Sequence, residues 1–91
     1  MGFFGWGNSN IPLYTSSISE NYENLGLVEG MYEYDSNANT QSDAVEKAKN
    51  ELRRILNSIK ADAAVNVRYA CFPSNNVCTI IVYGDAIRFI K

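Results

Sequence analysis

The stretch that decides the fold is residues 63–89, AAVNVRYACFPSNNVCTIIVYGDAIRF. Two runs rich in β-branched and aromatic residues, 63–72 and 77–89, flank the four residues Pro73–Asn76. Strand-forming runs that are separated by a short Pro/Ser/Asn segment are typical of a β-hairpin. The sequence therefore predicts two antiparallel strands that together make up about a quarter of the chain.

The two faces of this hairpin predict its register. With the turn centred between Ser74 and Asn75, one face carries only apolar pairs, namely Cys71 with Cys78, Tyr69 with Ile80 and Val67 with Val82. The other face is mixed and pairs Ala70 with Thr79, Arg68 with Ile81 and Asn66 with Tyr83. A slip by one residue would move polar groups into the core, so this sorting of the faces favours the register.

Upstream of the hairpin, the sequence predicts one long helix. Thr40 followed by Asp43 resembles a capping box, so the helix is expected to begin at residues 40–42 and to run to about Lys60. Its apolar residues keep to one face: Ala44, Val45, Ala48, Leu52, Ile55, Leu56 and Ile59. We expect Leu52, Ile55, Leu56 and Ile59 to pack on the apolar hairpin face that contains Val67, Tyr69, Ile80 and Val82.

Two further strands are predicted before the helix. Leu13–Ser17 follows a proline, which is tolerated at the beginning of a strand. Leu25–Tyr34 has a strand-like pattern, and its glycines indicate a bulge or a close backbone approach. Residues 21–24 are interpreted as a turn, and residues 35–39 as a loop.

The element order predicts the fold class. Strand-strand-helix-strand-strand indicates a single α+β domain over residues 11–91, with one helix packed on a mainly antiparallel sheet. Residues 1–10 show no periodicity, so they are expected to form an irregular N-terminal arm. Ninety-one residues bury a modest core, so a partner subunit would add much to stability.

Composition excludes several classes of function. The net charge of −2 and the pI of about 4.9 argue against binding to nucleic acid. No apolar run is long enough for a membrane span, and two cysteines do not make a secreted disulfide framework, so a cytoplasmic location is expected. The chain has no histidine and no recognisable catalytic couple, so it is not expected to be an enzyme.

Charge is distributed unevenly along the chain. Residues 1–46 contain seven acidic and no basic side chains, whereas residues 47–91 contain eight basic and three acidic ones. Unlike surfaces on one subunit can form a heterologous contact that closes into a ring. We therefore expect the acidic half of one copy to meet the basic half of the next, with apolar burial around Tyr32, Tyr34, Ile81 and Tyr83.

Three short motifs carry a resemblance to a known family. Residues 25–30 (LGLVEG), residues 61–69 (ADAAVNVRY) and residues 83–86 (YGDA) resemble the YbjQ-like family of small bacterial and archaeal proteins described as heavy-metal binding. The resemblance spans roughly residues 11–90 and implies a small α+β domain that forms a homo-oligomer, with a pentameric ring favoured. This chain has Lys60 where the family usually has glycine.

Cys71 and Cys78 are the sharpest candidate site, because the predicted register places them opposite each other. Free, buried thiols are the favoured interpretation, and a disulfide is an alternative. A soft metal ion held by the two cysteines, with Met31 as a further sulfur ligand, is the other alternative. No other cofactor is expected. Glu29 and Glu33 are interpreted as solvated carboxylates.

Asn66, Arg68 and Tyr83 form the second candidate site, because they share the mixed face of the hairpin. An arginine fork and a tyrosine hydroxyl suit a small-ligand pocket at a subunit interface, although packing against a neighbouring subunit is the favoured interpretation. The sequence thus predicts a non-catalytic, self-assembling domain. Soft-metal binding and small-ligand binding are the alternatives.

Overall fold

A computed structural model describes residues 11–35 and 40–90. Its elements, in chain order, are β1 (Tyr22–Asp35), α1 (Gln41–Ser58), β2 (Ala63–Ser74) and β3 (Val77–Phe89). The sheet order is β1-β3-β2, and both neighbouring pairs are antiparallel. This arrangement confirms the predicted α+β class. The predicted N-terminal arm lies outside the described residues.

Helix α1 begins where the sequence predicts. The Thr40 hydroxyl oxygen accepts a hydrogen bond of 3.3 Å from the Asp43 backbone N–H, which satisfies a free amide of the first turn. Four residues at helical spacing form its buried stripe: Ala44, Ala48, Leu52 and Leu56. The helix ends at Ser58, so it is slightly shorter than predicted.

The core lies between α1 and the central strand. Leu52 and Leu56 are fully buried in one cluster with Val67, Ile80 and Val82, which confirms most of the predicted packing. Three members of the predicted sets, Ile55, Ile59 and Tyr69, lie outside this cluster. Helix α1 lies over β1 and β3 and contacts β2 little, which leaves Tyr69 uncovered. The side chain of Tyr69 on β2 is 54% exposed, and that of Ile59 at the end of the helix is 39% exposed.

The helix approaches β1 closely at Gly30. A Cβ atom at this position would lie 2.6 Å from the Ala48 carbonyl oxygen and nearer still to the Leu52 amide nitrogen. Real Cβ atoms do not make such contacts, so only glycine allows the helix to sit here. This confirms the close approach that the glycines of the strand predict.

The predicted register of the hairpin is wrong by two residues. Ser74 opposes Val77, so the turn consists of Asn75 and Asn76, and Cys71 opposes Ile80. Asn75 has a φ of 56°, which two-residue hairpin turns favour and asparagine tolerates. Pro73 remains in the strand because β2 is an edge strand. A slip by two residues keeps the side chains between the turn and the β2 bulge on their predicted faces, whereas Asn66 lies within the bulge.

Both outer strands contain a bulge. In β2 the register shifts between Val65 and Arg68, where Asn66 has a φ of 56°. In β1 it shifts between Asn24 and Gly26, which confirms the bulge that the glycines of this strand indicate. The bulge in β2 allows Val65 and its neighbour Val67 to be buried in different clusters.

Two predictions for the N-terminal part are wrong. Leu13–Ser17 does not form a strand of the sheet, because only Leu13 makes an isolated parallel bridge, to Ala64. The segment 12–16 instead follows the outer edge of β2, and its backbone bonds to β2 reach as far as Val67. Residues 21–24 are not a turn, since β1 begins at Tyr22.

Candidate functional site

The face of the sheet opposite α1 is the main uncovered surface of the described chain, and we call it the open face. Strand alternation places eleven side chains on it: Leu27, Glu29, Met31, Glu33, Arg68, Ala70, Phe72, Thr79, Ile81, Tyr83 and Asp85. Three of the large apolar ones are more than half exposed, namely Leu27 (69%), Met31 (56%) and Phe72 (56%). A sheet face that is meant for water normally carries polar side chains.

A shallow groove of about 320 Å³ crosses the open face. Its lining is mostly apolar and consists of Leu27, Glu29, Ala70, Phe72, Ile81 and Tyr83. Ile81 lies on the central strand with Ala70 opposite it, and the small alanine side chain leaves room beside the exposed ring of Phe72. The groove offers apolar contact and the single carboxylate of Glu29. This lining suits packing against another surface rather than proton transfer.

Sequence reasoning missed part of this surface. It placed the assembly contact around Tyr32, Tyr34, Ile81 and Tyr83, but the two tyrosines of β1 lie on the helix side. Tyr34 is buried in the core, and Tyr32 packs against that core. The Lys47 ammonium lies 5.2 Å from the ring centroid of Tyr32. The alternate series of the same strand, Leu27 and Met31, is the exposed one, and only the position of the helix distinguishes the two series.

The predicted ligand trio is brought together only in part. Arg68 lies directly opposite Tyr83, and Glu29 opposes Tyr83 from the other side. Arg68 and Glu29 form no ion pair among the residues that the structure describes, since they lie two strand spacings, about 10 Å, apart. Asn66 does not join them. It lies in the β2 bulge, where its backbone N–H donates to the Ser16 carbonyl oxygen.

Cys71 and Cys78 form a disulfide within the hairpin. Their Cα atoms are 6.6 Å apart, within the range of natural disulfides, although the residues are diagonal neighbours rather than direct partners. The interpretation as free thiols is therefore wrong for this structure. Both side chains lie on the helix side of the sheet, close enough for their sulfur atoms to bond. Met31 lies on the open face, so the structure does not bring its sulfur to the two cysteines.

Two ion pairs of the described residues lie within the helix. Glu51 accepts hydrogen bonds from Arg54 within the helix, and the hydrogen bond lowers the pKa of the Glu51 carboxyl. Glu46 pairs with Lys49 in the same way, at 3.3 Å. Across residues 11–35 and 40–90, no three Cys, Asp or Glu side chains converge on a point where a metal ion would sit. The electrostatics thus indicate a solvated helix surface.

None of the helices in the described part of the chain has the length and apolar character needed to cross a membrane.

Glu29 and Glu33 are exposed, as the sequence predicts.

Comparison with known proteins supports the fold. No protein-family model matches the chain, and no curated protein matches it. A crystal structure of a protein of unknown function from Pediococcus pentosaceus, described as belonging to the DUF74 family, superposes with a TM-score of 0.76 at 17% sequence identity. The match covers 86% of this chain and 96% of that chain. At this identity the likeness shows a shared fold alone.

Proposed function

We propose that this chain is a non-catalytic domain of the YbjQ-like type that acts as a homo-oligomer, in the form of a closed ring. The observation that carries the proposal is the open face, where Leu27, Met31 and Phe72 are each more than half exposed. Burial of one such side chain stabilises by about 1.5–3 kcal/mol, so covering three of them together would drive association. Contiguous apolar surfaces of this kind mark interaction sites.

The shared fold supports the family assignment. The DUF74 family is the YbjQ-like family that the sequence motifs resemble. The motifs and the shared fold thus both support this assignment. The resemblance implies a ring of identical subunits, with five copies favoured.

The chemistry of the described residues supports a non-catalytic role. Active sites usually contain titratable groups whose pKa is shifted within a cleft. The hydrogen bond between Glu51 and Arg54 lowers the pKa of Glu51 and raises that of Arg54, and the two side chains form an exposed pair on the helix. The groove on the open face contains neither of them.

Light scattering and native mass spectrometry at micromolar concentration test this proposal. We expect a mass that is a multiple of the 10.2 kDa chain. Met31→Lys, which places a charge on the open face, should shift the protein towards the monomer. Ile90→Lys is the matched control, because Ile90 is 63% exposed but lies outside the open face. A wild-type mass of one chain would overturn the proposal.

The adjacent sulfurs support a second candidate, the binding of a soft metal ion after reduction of the disulfide. Cys71 and Cys78 would then offer two thiolates at one place on the hairpin, which suits an ion such as Cu(I). Reduced protein titrated with Cu(I) should retain one ion per chain in native mass spectra, whereas the Cys71→Ser/Cys78→Ser variant should not. Equal retention by both proteins would exclude the site.

A further inference from the structure

The Cys71–Cys78 disulfide anchors the end of the hairpin. The residues between the two cysteines, 72–77, are all exposed, so no buried side chain among them ties this end to the core. Cys78 is 5% exposed within the core cluster, and Cys71 packs against that cluster. Segments with few buried apolar contacts open most readily. The covalent bond therefore adds a restraint that side-chain burial does not supply to residues 72–77.

This end of the hairpin carries part of the open face. Phe72 directly follows Cys71, lines the groove and is more than half exposed. It opposes Thr79, the residue after Cys78, so the disulfide fixes the backbone next to both members of this pair. Loss of the bond would leave Phe72 with more conformations. Ordering its ring in a contact would then cost more entropy.

The two sulfur atoms differ in their access to solvent. Cys71 is half-buried on the outer strand β2, whereas Cys78 is buried on the central strand β3. A cleft of about 470 Å³ lies on the same side of the sheet, between the first half of α1 and Tyr69 of β2. Tyr69 lies two residues from Cys71 on that face of the strand. Because an attacking thiolate must reach the sulfur, Cys71 is the accessible end of the disulfide.

We propose that the Cys71–Cys78 disulfide is a reversible switch that small thiols open by attack at Cys71, and that its state sets the strength of the contact at the open face. This inference rests on the proposed self-assembly and adds its regulation. The oxidised form orders Phe72 and favours the assembly. The reduced form loosens residues 72–77 and weakens it.

The exchange consumes two small thiols. The first, as its thiolate, bonds to the Cys71 Sγ, the Cys71–Cys78 bond breaks, and Cys78 leaves as a thiolate that takes up a proton. The second attacks the sulfur of the bound thiol and releases Cys71, so the protein gains two electrons and two protons while two small thiols become one disulfide. Both cysteines stay close after reduction, because they lie on paired strands beside a two-residue turn. A small-molecule disulfide can therefore close the bond again by the reverse steps.

Native mass spectrometry over a dilution series, with and without millimolar dithiothreitol, tests the switch. Reduction should raise the concentration at which the assembly half dissociates by about threefold to tenfold, the cost of ordering one side chain. The Cys71→Ser/Cys78→Ser variant should resemble the reduced wild type and ignore the reductant. Thiol alkylation checks the redox state of each sample. An oligomer that is equally stable in both states would overturn this inference and leave the proposed function standing, whereas a monomeric oxidised wild type would overturn both.

The Phe72→Ala variant tests the route from the disulfide to the open face. Its assembly should be weaker in the oxidised state, and reduction should then change the half-dissociation concentration by less than about twofold, because the ring that the bond orders is gone. Met31→Ala, on β1 of the same face, is the matched control and should keep the full redox effect. A full redox effect in Phe72→Ala would overturn the proposed coupling.

Two single variants test the point of attack. Cys78→Ser keeps only the Cys71 thiol, and Cys71→Ser keeps only the buried Cys78 thiol. With oxidised glutathione, Cys78→Ser should form a mixed disulfide about tenfold faster than Cys71→Ser, because its sulfur is the accessible one. Intact-mass measurements over time give both rates. Equal rates, or a faster reaction at Cys78, would overturn the assignment of Cys71.

Discussion

Lys60 ends the helix in a backbone conformation that favours glycine. Its φ is 64°, and its backbone N–H donates to the Asn57 carbonyl oxygen. The backbone N–H of Ala61 donates to the Leu56 carbonyl oxygen. These are the two hydrogen bonds of a Schellman motif, in which this position is usually glycine. The glycine that the resembled family places here thus has a physical reason.

Lys60→Gly should therefore stabilise the protein. We expect the free energy of unfolding to rise by about 0.5–1 kcal/mol. The left-handed conformation costs a residue with a Cβ atom about 1–2 kcal/mol, and glycine avoids this cost. Part of the benefit is lost because glycine has more conformational freedom in the unfolded chain. Denaturant unfolding at fixed protein concentration measures it. Ser58→Gly, within the helix, should have the opposite sign.

The Cys71–Cys78 disulfide closes a short loop around the turn, with a sequence separation of 7. Loops of this length restrict the unfolded chain enough to contribute about 2–3 kcal/mol. Reductant should lower the free energy of unfolding by about that amount in the wild type. The Cys71→Ser/Cys78→Ser variant should not respond to reductant. An equal response in both proteins would show that the effect arises elsewhere.

The Glu51–Arg54 pair should make a small, pH-dependent contribution. The hydrogen bond from Arg54 lowers the pKa of Glu51 in the folded state, so the folded protein holds this proton less tightly than the unfolded chain. The stabilisation is therefore present above the ordinary pKa of 4.5 and is lost as the pH falls through the lower pKa of the folded state. It stays small because both side chains are exposed. Thermal melts should separate Glu51→Gln from wild type at pH 7, and the difference should shrink as the pH falls below 4.5.

At the scale of the elements, the helix stripe divides into core and surface positions. Leu52 is fully buried, whereas Ile59 is 39% exposed. Leu52→Ala should lower the free energy of unfolding by about 2–5 kcal/mol, because it leaves a cavity against the central strand. Ile59→Ala is the matched control and should cost clearly less. Calorimetric or denaturant unfolding of both variants checks this, and equal losses would contradict the described packing.

The hairpin shows which part of an element its own sequence determines. Alternation assigns each residue to a face, and the residues between the β2 bulge and the turn remain on the faces that the predicted register gave them. The register itself depends on whether Pro73 lies in the turn or in the strand. That choice depends on β2 being an edge strand, which is a property of the sheet and not of the hairpin.

At the scale of the whole molecule, little of the charge asymmetry is neutralised within a subunit. Glu23 and Arg88 form the one described ion pair between separate strands, at 3.8 Å. Arg88 also donates to the backbone carbonyl oxygens of Ile59 and Lys60, so it supports the end of the helix. The exposed carboxylates of Glu29 and Glu33 have no ion-pair partner among the residues that the structure describes.

The assembly should survive high salt. Raising the NaCl concentration from about 0.15 M to about 1 M shortens the screening length from about 8 Å to about 3 Å. Association should slow, because charge steers the encounter, but apolar burial on the open face should maintain the oligomer. Light scattering and stopped-flow association at the two salt concentrations measure both effects. Dissociation to the monomer at 1 M would show that charge supplies the affinity.

The sequence by itself determined the features that local chemistry controls. The Thr40 cap, the buried stripe through Leu52 and Leu56, and the bulge and close approach at the glycines of β1 follow from periodicity and backbone conformation. The α+β class follows from the order of these elements.

Only the tertiary structure decided which surfaces remain uncovered. Tyr34 and Met31 both lie on β1, and its alternation alone does not say which series faces the helix. Gly30 admits the helix to one side, so Tyr34 is buried there and Met31 is left on the open face. In the same way, the short N-terminal segment covers half of the β2 edge and leaves the rest open. Burial and edge coverage depend on contacts between residues far apart in the chain, which no local pattern encodes.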